Sequence, residues 1–128
     1  MPAGEAFSPG QRADIQRMVG IAQKQCHLPF SVYVGPLEHG RETAIALHAR
    51  LADVARAVLV AVDPAAQCVE IVTGTQAREL LDDQSCRLAM LSMTSSFSAG
   101  DLVGGIRDGL TVLADHARQP RVLHTDQP

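Results

Sequence analysis

The stretch Ala57-Val58-Leu59-Val60-Ala61-Val62 is apolar at every position. A strand of this kind needs cover on both faces, because neither alternate set of side chains can face water. That calls for a sheet with helices packed on both sides. Asp63-Pro64-Ala65-Ala66-Gln67 follows as a short turn, with Asp and Pro in favoured turn positions. Cys68 to Thr73 reads as the returning strand, so the two segments make an antiparallel hairpin.

The flanking segments are helical or short and extended. Ser8-Pro9-Gly10-Gln11 is a helix start: serine caps, proline suits the first position and Gln11 completes a capping box. Ile15, Met18, Val19 and Ala22 continue it at helical spacing to about Gln25, and Pro29 stops it. Phe30 to Val34 alternates as a strand ended by Gly35-Pro36, with Phe30, Val32 and Val34 on one face. A second helix is expected from about Glu42 to Ala52, with Ala44, Leu47, Leu51 and Val54 inward.

Beyond the hairpin, a short helical turn falls near Gln76 to Leu81. A longer helix runs from about Gln84 to Ser96, with Cys86, Met90, Met93 and Phe97 on a face that Leu88, Ala89 and Leu91 widen. Ser98-Ala99-Gly100-Asp101 reads as a capping box opening a last helix to about Ala117. The order is α-β-α-β-β-α-α, with a right-handed crossover joining the first two strands in parallel. The expectation is one domain over residues 1–117 and an extended C-terminal tail over 118–128.

With 46% hydrophobic residues among 128, the chain can build a core, and three Phe, one Tyr and no Trp leave that core to aliphatic side chains. A net charge of -3 without a basic run excludes nucleic acid as a main partner. No apolar segment is long enough for a transmembrane helix, and the first residues lack the pattern of a signal peptide, so a cytoplasmic location is expected. Cys26, Cys68 and Cys86 are widely spaced and read as small core residues of a reducing compartment.

The chemistry on offer is acidic. Asp82-Asp83 puts two carboxylates side by side, which suits either a helix cap or a cation such as Ca²⁺ or Mg²⁺. Asp101 can cap the last helix or join them as a third metal ligand. Asp63 ends a strand at the edge where open α/β sheets place ligands, and also begins a tight turn. Gly74-Thr75 follows a strand and precedes a helical turn, where an anion can rest on amides, although no P-loop is present. Gly104, Gly105 and Gly109 lie inside a helix and point to close packing or to close approach of a ligand. The five histidines show no zinc spacing, and the Ser92–Ser96 hydroxyls lack a nucleophile elbow.

These residues together resemble the TPM-domain family, known from a thylakoid-lumen protein, photosystem II repair factors and a worm receptor modulator. The resemblance covers about residues 28–117. It rests on the strand Val58–Val62, then Val69, Ile71 and Gly74, then Leu81 and Asp83 of an "LTD"-like motif. It ends with Phe97, Gly100, Asp101, Gly105, Ile106 and Gly109 in the spacing FxxGDxxxGIxxG. Departures are Gln76 in place of a second glycine and Pro64-Ala65-Ala66 in place of a charged turn. The resemblance implies a Rossmann-like α/β/α sandwich in a soluble, actinobacterial-like branch, and Ca²⁺ binding or weak phosphatase activity as in some relatives.

No nucleophile–base pair or metal triad is visible, so the expected function is a non-catalytic binding or regulatory module. It would engage a protein partner through a cleft near Gly74, Asp83 and Asp101 or through a helix face. The rival is a divalent-metal-dependent phosphatase-like hydrolase using Asp82, Asp83 and Asp101. A third reading is an associating subunit, including a homo-oligomer, which uncovered apolar residues on the Gln84–Ser96 helix would favour.

Overall fold

The computed structural model of the chain describes residues 8–118. The expected tail beyond Arg118 lies outside the described residues. In chain order the elements are α1 (Pro9–Cys26), β1 (Phe30–Val34), α2 (Arg41–Ala49), β2 (Val58–Asp63), β3 (Cys68–Thr73), a 3₁₀ turn (Ala77–Glu79), α3 (Asp83–Ser98) and α4 (Leu102–Ala117).

The sheet has three strands in the order β1-β2-β3, with β1 parallel and β3 antiparallel to β2. Every residue of the central strand β2 is buried, as its unbroken apolar run requires. One face carries Phe30, Val58, Val60, Val62 and Ile71 under α1, α3 and α4. The other carries Leu59, Ala61 and Val72, covered by the shorter α2 through Ala44 and Leu47. This is a mixed α/β domain with a small sheet and unequal cover on its two faces.

Local chemistry sets the helix ends. The Ser8–Gln11 capping box forms in both directions, at 2.9 and 3.1 Å. α1 stops at His27, which takes a left-handed backbone with φ 63°. The last two helices differ at their junction from the expected Ser98 capping box. Ser98 is still within α3, and the cap of α4 is Asp101, whose Oδ1 accepts from Gly104 N at 2.9 Å. Between them Gly100 sits at φ 85°, while Gly100 N and Asp101 N donate back to the Phe97 and Ser96 carbonyls at 2.9 Å. That pair of bonds is a Schellman motif, and its left-handed residue is why glycine stands there.

Gly105 and Gly109 are one helical turn apart on α4 and bring it against α3. A Cβ on Gly105 would come within 2.3 Å of the Phe97 ring, and one on Gly109 within 2.6 Å of Met93. The in-helix glycines therefore answer to packing. α2 is shorter than expected, ending at Ala49, because the chain turns there and Asp53 adopts φ 54°. Two burial expectations fail. Val54 is exposed, and Leu88 and Leu91 stand out on the outer side of α3 at 43% and 66% exposure. α3 is covered by the sheet and α4 on only one side, the side of Ser85, Ala89 and Met93.

Candidate functional site

The two edges of the sheet separate the acidic and glycine residues. Asp63 ends β2 at the edge where β1 also ends, whereas Thr73 at the end of antiparallel β3 pairs with Val58 at the start of β2. Gly74 and Thr75 therefore lie at the amino edge, about 17 Å from Asp63 across six residues of strand. α3 opens at Asp83 and closes at Ser98, so its 16 residues hold Asp82 and Asp83 roughly 24 Å from Asp101. Neither the ligand set Asp63, Gly74 and Thr75 nor the metal set Asp82, Asp83 and Asp101 comes together. The expected cleft shared by Gly74, Asp83 and Asp101 does not form. Among the described residues no group of three His, Cys, Asp or Glu side chains is placed to hold a metal ion.

At the amino edge, Gly74 is filled from within. A Cβ there would meet the Val54 and Ala55 carbonyl oxygens at 2.0 and 2.4 Å. The following amides are also taken, since Gln76 N and Ala77 N both donate to Ala55 O at 2.7 and 3.1 Å. Gly74 is a glycine because the α2–β2 connection runs against it, and Thr75 is exposed beside the turn. A wide, open depression of about 500 Å³ lies nearby, lined by Cys26, His27, Arg56, Gln76 and Glu79. Its one arginine is spent on Asp53 and on the His27 carbonyl.

Asp82 caps α3, and its Oδ1 accepts from Ser85 N at 2.8 Å and from Ser85 Oγ at 2.9 Å. His116 Nδ1, in the last turn of α4, stands 3.0 Å from the same hydroxyl. This Asp82–Ser85–His116 chain escapes sequence reasoning, because only the antiparallel α3–α4 hairpin joins positions 31 residues apart. It is not a nucleophile triad. The serine is in the middle, its proton goes to the carboxylate, and its side chain is buried. The arrangement ties the open end of the helical hairpin together.

The Ser85 amide and hydroxyl, with His116 beyond, hold Asp82 below its ordinary value of 3.8. A depressed carboxylate stabilises the fold above its unfolded pKa, and that contribution is lost as pH falls through the folded one. The Tm gap between wild type and Asp82→Ala is therefore expected to be full at neutral pH and to close in the acid range. A gap that stays constant down to strongly acid pH would contradict the cap.

The carboxyl edge holds a partly open cleft of about 300 Å³ between the β2–β3 turn and the α3–α4 corner. Val62, Val69, Phe97 and Leu102 form apolar walls, and Gln67, Thr94 and Ser98 stand among its polar residues. Asp63 lines it too. Its Oδ2 accepts from Leu37 N at 2.9 Å and its Oδ1 from Ala66 N at 3.2 Å, so it fastens the β1 exit loop and the hairpin turn to one point. Gln67 is left-handed at φ 55°. Cys68, also in the lining, has its thiol pushed up by burial and then by the nearby Glu70 and Asp63 carboxylates. Burial raises Cys26 and Cys86 as well, so each of the three thiols carries less thiolate than an ordinary cysteine. Sequence reasoning places Asp63 at this edge but misses Val69, Thr94, Phe97 and Ser98 as its neighbours. It also misses His48, a buried helix residue with Nε2 2.9 Å from Ala57 O.

Among the described residues, a three-stranded mixed sheet with four helices and a cleft at the carboxyl edge defines a small α/β domain. The chain belongs to the family described as a domain of unknown function (DUF5130), matched over residues 2–114. This corrects the TPM-domain resemblance, because the family that the chain matches is a different one. Two Mycobacterium tuberculosis relatives, Uncharacterized protein MT2543 (strain CDC 1551 / Oshkosh) and Uncharacterized protein Rv2468c (strain ATCC 25618 / H37Rv), are each 32% identical over 96 residues. The alignment takes in 73% of this chain and 56% of each relative, so the chain spans just over half their length. Among solved structures, the BA42 protein of the psychrophilic bacterium Bizionia argentinensis is similar in fold, with a TM-score of 0.68 over 87% of this chain and 81% of that one, at 12% identity. No helix among the described residues is long and apolar enough to cross a membrane.

Proposed function

We propose that this domain is a non-catalytic binding module that receives a segment of a protein partner in the carboxyl-edge cleft. The observation that carries the reading is the cleft itself. It is a partly open, largely apolar site with a few polar groups at the edge where α/β sheets place ligands. Its lining contains no nucleophile paired with a base. The small α/β sandwich acts as a rigid frame, with Asp63 and the Schellman corner fixing the two walls.

The rival metal-dependent hydrolase needs Asp82, Asp83 and Asp101 on one cation, and a helix length between them speaks against it. A face for association has one specific support, the exposed pair Leu88 and Leu91 one turn apart on α3. Two leucines supply little of the area that a stable interface buries.

Thr94→Trp tests the reading, because position 94 is exposed on α3 and an indole there fills the cleft without entering the core. Peptides selected from a displayed library on the wild-type domain are expected to lose at least about tenfold in affinity for the variant, a difference of roughly 1.4 kcal/mol. Its Tm should stay close to that of the wild type. Selected peptides that bind the variant equally well would overturn the cleft as the site.

A further inference from the structure

Building on that reading, we infer that the partner segment binds as an extended strand, antiparallel to the outer edge of β3, and lays one apolar side chain in the cleft. The hydrogen-bond register fixes which groups of β3 face that edge. Gly74 N donates to Ala57 O at 2.9 Å, so Val72, Glu70 and Cys68, at every second position before it, are the residues that bond to β2. Val69 and Ile71 therefore turn their N–H and C=O groups away from β2. Among the described residues no further strand lies beside β3. The Ile71 carbonyl confirms that this edge is open to a donor from outside the sheet. Arg41, itself half exposed, gives Nη1 to that oxygen at 3.2 Å while also pairing with Glu70 at 3.1 Å.

Val69 is where this edge meets the cleft. It stands opposite Val62 in register, both side chains pack on the face under α3 and α4, and both line the cleft. Its outward N–H and C=O have no partner among the described residues. A free donor and a free acceptor thus stand beside an apolar hollow walled by Val62, Val69, Phe97 and Leu102. An extended main chain matches that combination. A residue paired antiparallel with Val69 gives its N–H to the Val69 carbonyl and takes the Val69 N–H on its own carbonyl. Its side chain then falls on the same face as that of Val69, which is the cleft side. A parallel strand is the weaker pairing per residue and would turn the amide of its cleft-filling residue away from β3. A helical segment spends its amides on itself and has nothing to offer this edge.

The test takes the tightest library-selected peptide, finds its apolar anchor by alanine scanning, and methylates its backbone nitrogens one at a time. Methylation at the anchor removes the bond to the Val69 carbonyl and is expected to cost about tenfold in affinity for the wild-type domain, whereas methylation of either neighbour is tolerated. Val69→Pro removes the outward N–H without touching a bond to β2 and should weaken the same peptide about as much. Val69→Ala trims the same wall, keeps the N–H and should weaken it less. Should the proline variant fail to fold, the methyl scan on the wild type decides alone. An anchor that tolerates methylation while the peptide still moves the Val69, Thr94 and Ser98 amides would overturn the antiparallel strand and leave the cleft standing. A peptide that leaves those amides unmoved would overturn the strand and the cleft together. A peptide-free domain that sediments as a dimer, with the Val69 amide already protected from exchange, would give the edge to a second copy and overturn the peptide as its occupant.

Discussion

Gly74→Ala is expected to destabilise the domain by about 3 kcal/mol, at the upper end for an overpacked site. For a domain of this size that is a fall in Tm of roughly 10 °C. The added methyl would lie 2.0 Å from one backbone oxygen and 2.4 Å from the next, and a main-chain carbonyl cannot swing aside as a flexible side chain can. The chain at Val54 and Ala55 would have to move. Gly74 N to Ala57 O and the two bonds onto Ala55 O hold that segment in place. Chemical denaturation of wild type and variant checks the result. A change within about 0.5 kcal/mol, as for an ordinary surface site, would show that the glycine serves something other than this crossing.

Gly105→Ala should cost about 2 kcal/mol and also impair the cleft. Its Cβ would sit 2.3 Å and 2.6 Å from two atoms of the Phe97 ring and 3.1 Å from Met93 O. The ring is the softer neighbour and must leave its place. Phe97 is part of the cleft wall, so the same substitution is expected to weaken peptide binding several-fold under conditions where the variant is still folded. Denaturation gives the first effect and peptide titration the second. A variant that loses stability but binds with unchanged affinity would separate Phe97 from the site.

These two glycines also show what the sequence can and cannot convey. The unbroken run at residues 57–62 and the alternation at 30–34 specify strands because their periods leave no other way to bury them. The Ser8–Gln11 box forms as it reads. The spacing Phe97, Gly100, Asp101, Gly105, Gly109 is equally real, but each residue answers to a local need. Phe97 packs its ring, Gly100 makes a left-handed stop, Asp101 caps a helix, and Gly105 and Gly109 allow close helix contact. Closely packed helix-turn-helix corners of many families share those needs. That is why the motif suggests the wrong family while correctly describing the corner.

The site is less legible, because it depends on which edge of the sheet each turn reaches. Asp63 and Gly74 both follow strands and look alike in sequence, yet the antiparallel return of β3 sends them to opposite edges. Asp82 and Asp101 both precede helices, and the α3–α4 hairpin puts a helix length between them. Leu88 and Leu91 fit a helical apolar stripe, and only the one-sided packing of α3 reveals them as exposed.

Whether function resides at the carboxyl-edge cleft is tested most directly by amide shift mapping of the ¹⁵N-labelled domain with the tightest selected peptide. Perturbations are expected to concentrate at Val62 to Val69 and Thr94 to Leu102, with the amino edge silent. Perturbations centred instead on the outer face of α3 around Leu88 and Leu91, or at Asp82 and Asp83, would contradict it.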